Sequence, residues 1–181
     1  IIIVPFFVLA FYLPGFYGDL TACVLFVIAS FTDFLDGMLA RMMGEESKLG
    51  ELLDPIADKI IVATALILLV MSGTIRHYEV IAAIIILTRE ILISGLREFL
   101  AKGQVQLPVT NLAKLKTVIQ MIAIALLLTG ETGNKILNFQ DYNAQTIGII
   151  LLWLSAFLTL YTGYVYLRKG IDHAISEDSK N

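Results

Sequence analysis

The sequence is short of charge. Only 16% of its 181 residues are Asp, Glu, Lys or Arg, against about 25% in a soluble domain. That deficit excludes a soluble globular chain, and it excludes a disordered one, which depends on abundant charge. Basic residues do not exceed acidic ones, 13 against 16 for a net charge of −3, so the basic footprint of a nucleic-acid-binding protein is missing. Cys23 is the only cysteine; no disulfide can form within the chain, and the thiol reads as a packing or lipid-facing residue. Histidine is equally scarce. His77 falls in a connector and His173 in the C-terminal tail, and neither has a second ligand at helical spacing. Collagen-like periodicity, low-complexity tracts and short repeats do not occur.

What the chain does have is apolar length. Hydrophobic residues make up 57% of it, and the mean hydropathy is +0.81. Apolar runs cover about 1–13, 20–43, 52–71, 79–100, 112–129 and 144–167. They are too long for core strands and too continuous for a membrane barrel. The expectation is an all-α, polytopic integral membrane protein of six transmembrane helices, folded as one domain over residues 1–181. Six spans would use about 120 residues and leave only short connectors. Pro14, Gly15 and Gly18 end the first run; Asp54-Pro55 suits the start of the third helix, which closes before Ser72-Gly73. The chain opens on Ile1 with no basic flank, which reads as a trimmed N-terminus rather than a signal peptide.

Lys and Arg in the short connectors set the orientation. The connectors after runs one, three and five hold only Arg76 and Lys135. Those after runs two and four, with the tail, hold Arg41, Lys48, Arg97, Lys102, Lys114, Lys116, Arg168, Lys169 and Lys180. That second side is expected to be cytoplasmic and to carry both termini. Lys59 and Arg89 fall inside runs.

Four aspartates break the apolar pattern. Asp33 and Asp36 lie near the end of the second run, and Asp54 and Asp58 near the start of the third. A charge within an apolar span costs about 2.5–3.5 kcal/mol on the insertion scale, so four of them need compensation. At 100° per residue, Asp33, Asp36, Gly37, Ala40 and Arg41 form one stripe on their helix, and Gly50, Asp54 and Asp58 form another. The short connector makes the two helices antiparallel neighbours, with both carboxylate pairs at the same cytoplasmic end. Carboxylate oxygens without Cys or His suit a hard divalent cation such as Mg²⁺ rather than zinc. Two such ions could clamp a phosphoryl group. Gly37, Ala40 and Gly50 leave room for a ligand against the backbone. Taken singly, Gly37 would be a packing glycine and Arg41 a snorkelling anchor; the spacing of the whole set argues otherwise.

The segment reads Asp33-x2-Asp36-Gly37-x2-Ala40-Arg41-x8-Gly50-x3-Asp54-x3-Asp58, and it resembles the CDP-alcohol phosphotransferase signature at every position. Further stretches resemble the branch of that family with glycerol 3-phosphate as acceptor: Leu53 to Lys59, Arg89 to Glu98, Lys114-Leu115-Lys116-Thr117 and the opening Val4-Pro5-Phe6-Phe7. The resemblance covers essentially the whole chain and weakens from about residue 130. It implies a six-helix fold in a bacterial inner membrane, multi-pass, with the active site facing the cytoplasm. It also implies that the 1-hydroxyl of glycerol 3-phosphate attacks CDP-diacylglycerol and CMP leaves. Asp33, Asp36, Asp54 and Asp58 become ligands of Mg²⁺ or Mn²⁺, two ions in all, with Asp58 as the base. Asp33, Gly37, Ala40, Arg41 and Gly50 become the nucleotide-binding part. The chain's partners are then the two substrates and membrane lipids, no nucleic acid, and a second copy in a homodimer. Relatives carry a short amphipathic segment with Asn-Pro-Asn and an Arg before the first span, which this sequence lacks; about a dozen residues are expected to be missing.

A phosphate-bearing acceptor needs cations. Arg89 and Arg97 are eight apart on one side of the fourth helix, Lys114 and Lys116 begin the fifth, and Arg168 ends the sixth; all five are candidate acceptor-phosphate residues. The competing reading is an anchor to anionic headgroups, which is favoured for Lys102, Lys169 and Lys180. Arg89 and Glu90 are adjacent and need different partners. Trp153, Tyr161, Tyr164 and Tyr166 read as interface anchors. Alternative activities are a sibling enzyme making cardiolipin, phosphatidylserine or phosphatidylinositol phosphate, and a cation or proton transporter. The transporter reading requires a polar path through the outer halves of the spans, where residues 20–32 offer only Thr21, Ser30 and Thr32.

Overall fold

A computed structural model describes the backbone of residues 2–43, 48–102, 110–137 and 143–178. Side chains are described at 2–32, 56, 59–98, 100, 110–130, 132–134, 143–168 and 170–171. Six helices follow one another: α1 (Ile3–Phe11), α2 (Phe16–Met43), α3 (Lys48–Met71), α4 (Glu79–Lys102), α5 (Asn111–Leu137) and α6 (Ala144–Asp178). No strand occurs among the described residues.

Contacts at the helix ends show how the chain alternates. Tyr12, just past α1, donates to Met71 Sδ at the end of α3 (3.6 Å). Gln145, at the start of α6, donates to the Thr74 carbonyl just after α3 (3.0 Å). Thr132, late in α5, donates to Asp19 Oδ2 early in α2 (2.9 Å). These groups share one end of the bundle. At the other end the Thr110 N–H, immediately before α5, donates to Tyr166 Oη late in α6 (3.3 Å).

Two glycines make the turns possible. A Cβ at Gly18 would sit 1.8 Å from the Leu13 carbonyl oxygen, so only glycine lets α2 start that close to α1. Gly130 interrupts α5 with φ 53° and ψ −136°, a conformation open to glycine, and the helix resumes in a new direction to reach Asp19. The fifth apolar run thus ends where expected, while the helical backbone continues beyond it.

Two other boundaries differ from expectation. The third helix does not start at Asp54-Pro55; it starts at Lys48 and carries Pro55 in its interior. Leu49, Glu51, Leu52 and Leu53 are strong helix formers, and the backbone stays helical through Pro55 despite the lost hydrogen bond and the ring crowding an interior proline brings. The sixth helix runs past residue 167 to Asp178, because the end of an apolar run does not end helical propensity.

The core runs along the bundle. Phe7 and Phe26 meet with ring centroids 6.1 Å apart, and Leu66, Leu69, Ile86, Ile124, Leu127 and Leu152 are fully buried. α5 and α6 share the most extensive contact. Cys23 is a packing residue between α2 and α5, its thiol 3.5 Å from the Ala125 carbonyl oxygen. The outside is as apolar as the inside: Ile84 is 56% exposed, Ile91 70%, Ile150 61% and Phe157 63%, far more than a soluble protein leaves uncovered. Asn111–Gly130 and Ala144–Arg168 are long and apolar enough to cross a membrane. Phe16–Thr32 and Lys59–Met71 are shorter apolar stretches, and α1 has nine residues, fewer than the about 20 a span needs.

Helix α6 approaches α5 through Gly148, where a Cβ would lie 2.8 Å from Leu127 Cγ and 3.3 Å from the Ala123 carbonyl oxygen. Gly148→Ala should therefore lower stability by about 1–3 kcal/mol through overpacking. Thermal unfolding of the detergent-solubilised protein reads this, and in a Leu127→Ala background, itself less stable, the same change should cost less.

Candidate functional site

Continuous helical backbone carries positions 33, 36, 37, 40 and 41 on the C-terminal part of α2 and positions 50, 54 and 58 on the first half of α3. The two helices pack together, and four residues separate them in sequence. The side chains of Asp33, Asp36, Gly37, Ala40, Arg41, Gly50, Asp54 and Asp58 lie outside the described residues.

The five candidate cations are placed in three different ways. Arg89 and Arg97 converge on α6. Arg89 Nη2 donates to Thr162 Oγ1 at 3.0 Å, and its guanidinium carbon lies 5.9 Å from the Tyr166 ring centroid. The Arg97 guanidinium carbon lies over the same ring at 5.0 Å. Lys116 is buried on α5, with 3% exposure, and pairs with Glu90. Lys114 and Arg168 are exposed.

Arg89 and Glu90 do have different main partners, Thr162 and Lys116. They also approach each other, Nη1 to Oε1 at 3.7 Å, because their long side chains bend back over the 100° that separates their positions. A single carboxylate therefore sits between Lys116 and Arg89.

Tyr166 corrects the expectation of an interface anchor. Tyr161 and Tyr164 are outward, 59% and 65% exposed, but Tyr166 is 2% exposed. Its ring supports both arginines, and its hydroxyl accepts from the Thr110 N–H. Desolvated guanidinium over an aromatic face is a favourable contact. The signal was in the spacing: Ser155, Thr159, Thr162 and Tyr166 follow i, i+4, i+7 and i+11, a polar stripe on an otherwise apolar helix. Its members are buried, between 0% and 3% exposed.

Chemically, this end of the bundle concentrates positive charge. Two guanidinium groups lie over one aromatic ring and repel each other. Arg89 Nε and Arg97 Nε are buried with no hydrogen-bond partner among the described residues. An anion close to both guanidinium groups would relieve the repulsion.

The family model for CDP-alcohol phosphatidyltransferase matches residues 1–161. A Rickettsia felis protein named CDP-diacylglycerol--glycerol-3-phosphate 3-phosphatidyltransferase is 40% identical over 168 residues, covering 93% of this chain and 88% of its own. A Rickettsia bellii protein of the same name is 41% identical over 165 residues, covering 91% and 87%. A Yersinia enterocolitica protein, also of that name, is 36% identical over 174 residues, covering 93% and 88%. With the aspartate motif on α2 and α3 inside the matched residues, and with relatives this similar over nearly their full length, the chain belongs to the CDP-alcohol phosphatidyltransferase family.

Proposed function

We propose that the chain transfers the phosphatidyl group of CDP-diacylglycerol to the 1-hydroxyl of glycerol 3-phosphate, forming phosphatidylglycerophosphate and CMP. The observation that carries this is the pairing of two features: a full aspartate motif on adjoining helices α2 and α3, and two arginines with unspent donors on α4. The names of the relatives support the same substrates.

In this reading the 1-hydroxyl oxygen bonds to the phosphorus that bears diacylglycerol. The bond from that phosphorus to the bridging oxygen breaks, and CMP leaves with the electron pair. Asp58 takes the hydroxyl proton, a role worth about 10²–10⁴-fold in rate. Arg89 and Arg97 hold the acceptor's phosphate, and Tyr166 positions both guanidinium groups without touching substrate. Lys116, Lys114 and Arg168 are secondary candidates, since Lys116 is occupied by Glu90 and the other two are exposed. Asp33, Gly37, Ala40, Arg41 and Gly50 hold the nucleotide.

Four carboxylates without thiolate or imidazole fit a hard divalent ion. Asp33, Asp36, Asp54 and Asp58 would hold Mg²⁺ or Mn²⁺, two ions in all. When bound, such ions neutralise the pyrophosphate and the departing CMP. The six helices form one domain spanning a bacterial inner membrane, with the aspartate end facing the cytoplasm. The acyl chains stay in the bilayer while the reacting phosphates meet water. Two copies form a homodimer.

Two measurements test this. CMP release from CDP-diacylglycerol should require glycerol 3-phosphate, stop on chelation and return with Mg²⁺; Asp58→Asn should lower kcat about 10²–10⁴-fold. Undiminished release in Asp54→Asn and Asp58→Asn together would remove the aspartates from the chemistry. Arg89→Gln and Arg97→Gln should each raise KM for glycerol 3-phosphate about tenfold or more, the loss of a charge-assisted hydrogen bond, with KM for CDP-diacylglycerol unchanged. An equal rise in both KM values would move the acceptor site elsewhere.

A further inference from the structure

Glycine weakens a helix, because its backbone loses the most freedom on folding, yet α6 carries three buried glycines, Gly148, Gly163 and Gly170. Gly148 lets α6 close on α5. Gly163 and Gly170 lie seven apart, on the face that α6 turns to α4.

These last two meet different neighbours. A Cβ at Gly170 would lie 2.9 Å from Leu96 Cδ1 and 3.1 Å from Leu96 Cδ2. That is the ordinary close approach of two helices through a small residue. A Cβ at Gly163 would lie 3.1 Å from Arg89 Cγ, 3.4 Å from Arg89 Nε and 3.9 Å from Arg89 Cδ. The stem of a charged side chain therefore runs along the Gly163 backbone, in the room a side chain would take.

The far end of that stem is fixed. Arg89 Nη2 donates to Thr162 Oγ1 at 3.0 Å. The Thr162 hydroxyl donates in turn to the Leu158 carbonyl oxygen of its own helix at 2.8 Å, so its one hydrogen is committed and a lone pair is left for the guanidinium. The buried Tyr166 ring lies 5.9 Å from the Arg89 guanidinium carbon. Thr162 and Tyr166 are four apart and Gly163 and Tyr166 three apart, so all three share one side of α6.

This leaves the stem little slack. Cγ stands two bonds from the Arg89 Cα and cannot swing aside as the tip of a long side chain can. It moves only if χ1 leaves its staggered well or if α4 shifts, and either motion carries the guanidinium with it. A Cβ at position 163 would displace Cγ by a few tenths of an ångström, and rotation about χ1 enlarges that displacement toward the tip. Misplacing a binding group by about 1 Å costs on the order of 10²-fold, so a smaller shift remains measurable.

We propose that Gly163 is a positioning residue for the acceptor: its missing side chain seats the Arg89 stem, and the size of the residue at 163 sets the affinity for the phosphate-bearing acceptor. Gly163 touches no substrate and acts through Arg89. The inference rests on the reading that Arg89 holds the acceptor's phosphate, but one arm of its test does not.

That arm is thermal unfolding of the full chain in detergent. Gly163→Ala should cost wild type more degrees of unfolding temperature than it costs Arg89→Ala, where Cγ, Cδ and Nε are gone and the added methyl has room. An equal shift in both backgrounds, or loss of the fold in both, would overturn the proposal. The second arm reads KM for both substrates. Gly163→Ala should raise KM for glycerol 3-phosphate about three- to tenfold and leave KM for CDP-diacylglycerol unchanged. It should add nothing further in Arg89→Gln, which already lacks the guanidinium. Gly170→Ala crowds the same pair of helices more closely but away from Arg89, and should leave both KM values at wild type. A wild-type KM for glycerol 3-phosphate in Gly163→Ala would overturn the proposal. So would an equal rise in Gly170→Ala, which would make helix spacing the cause. A wild-type KM in Arg89→Gln, with the difference in unfolding intact, would overturn the acceptor reading of Arg89 and leave its seat on Gly163 standing.

Discussion

The Glu90 carboxylate is the point on which the Tyr166 end of the described bundle depends. Helices α4 and α5 do not pack directly against each other among the described residues; α4 rests on α3 and α6, and α5 on α2, α3 and α6. The Glu90–Lys116 pair crosses the gap between them. Lys116 is almost wholly buried, so its ammonium needs carboxylate compensation, and Glu90 supplies it. The pair thus links two helices that otherwise make no direct contact among the described residues.

The same carboxylate sets the charge on the other face of α4. Glu90 looks toward α5, and its neighbour Arg89 turns to Thr162 and Tyr166 on α6. Helical geometry sends adjacent residues 100° apart, so one turn of α4 reaches both α5 and α6. Because Glu90 is already engaged by Lys116, it only partly offsets Arg89, and the Arg89–Arg97 pair retains net positive charge. Tyr166 makes this tolerable by offering an aromatic face to both guanidinium groups. Its hydroxyl in turn accepts from the backbone at the start of α5. Helices α4, α5 and α6 are therefore joined at the end where phosphate chemistry is proposed.

The architecture also explains why phosphates and acyl chains can meet on one protein. Rows of exposed isoleucine and phenylalanine cover the outside of α4 and α6, whereas polar side chains turn inward near one end. A lipid with a charged head is divided the same way. Proximity at such a boundary removes translational freedom from both substrates, which is worth up to about 7–11 kcal/mol of the barrier.

Much of this was written in the sequence. Apolar runs set the number of helices and most of their boundaries, because burying or exposing side chains to lipid depends on local composition. The spacing of Asp33, Asp36, Asp54 and Asp58 identified the family, because helical register turns fixed spacing into one face. Composition could not foresee that α3 would run through Pro55, because an interior proline costs about 3 kcal/mol, more than the local propensity of its neighbours recovers. Nor could it separate the five cations: Arg89 and Arg97 over Tyr166, Lys116 against Glu90, and Lys114 and Arg168 outside are all basic residues near helix ends. Which of them meets an aromatic ring, a carboxylate or open surroundings is decided by side chains 26 to 77 positions away along the chain, and only packing brings those together.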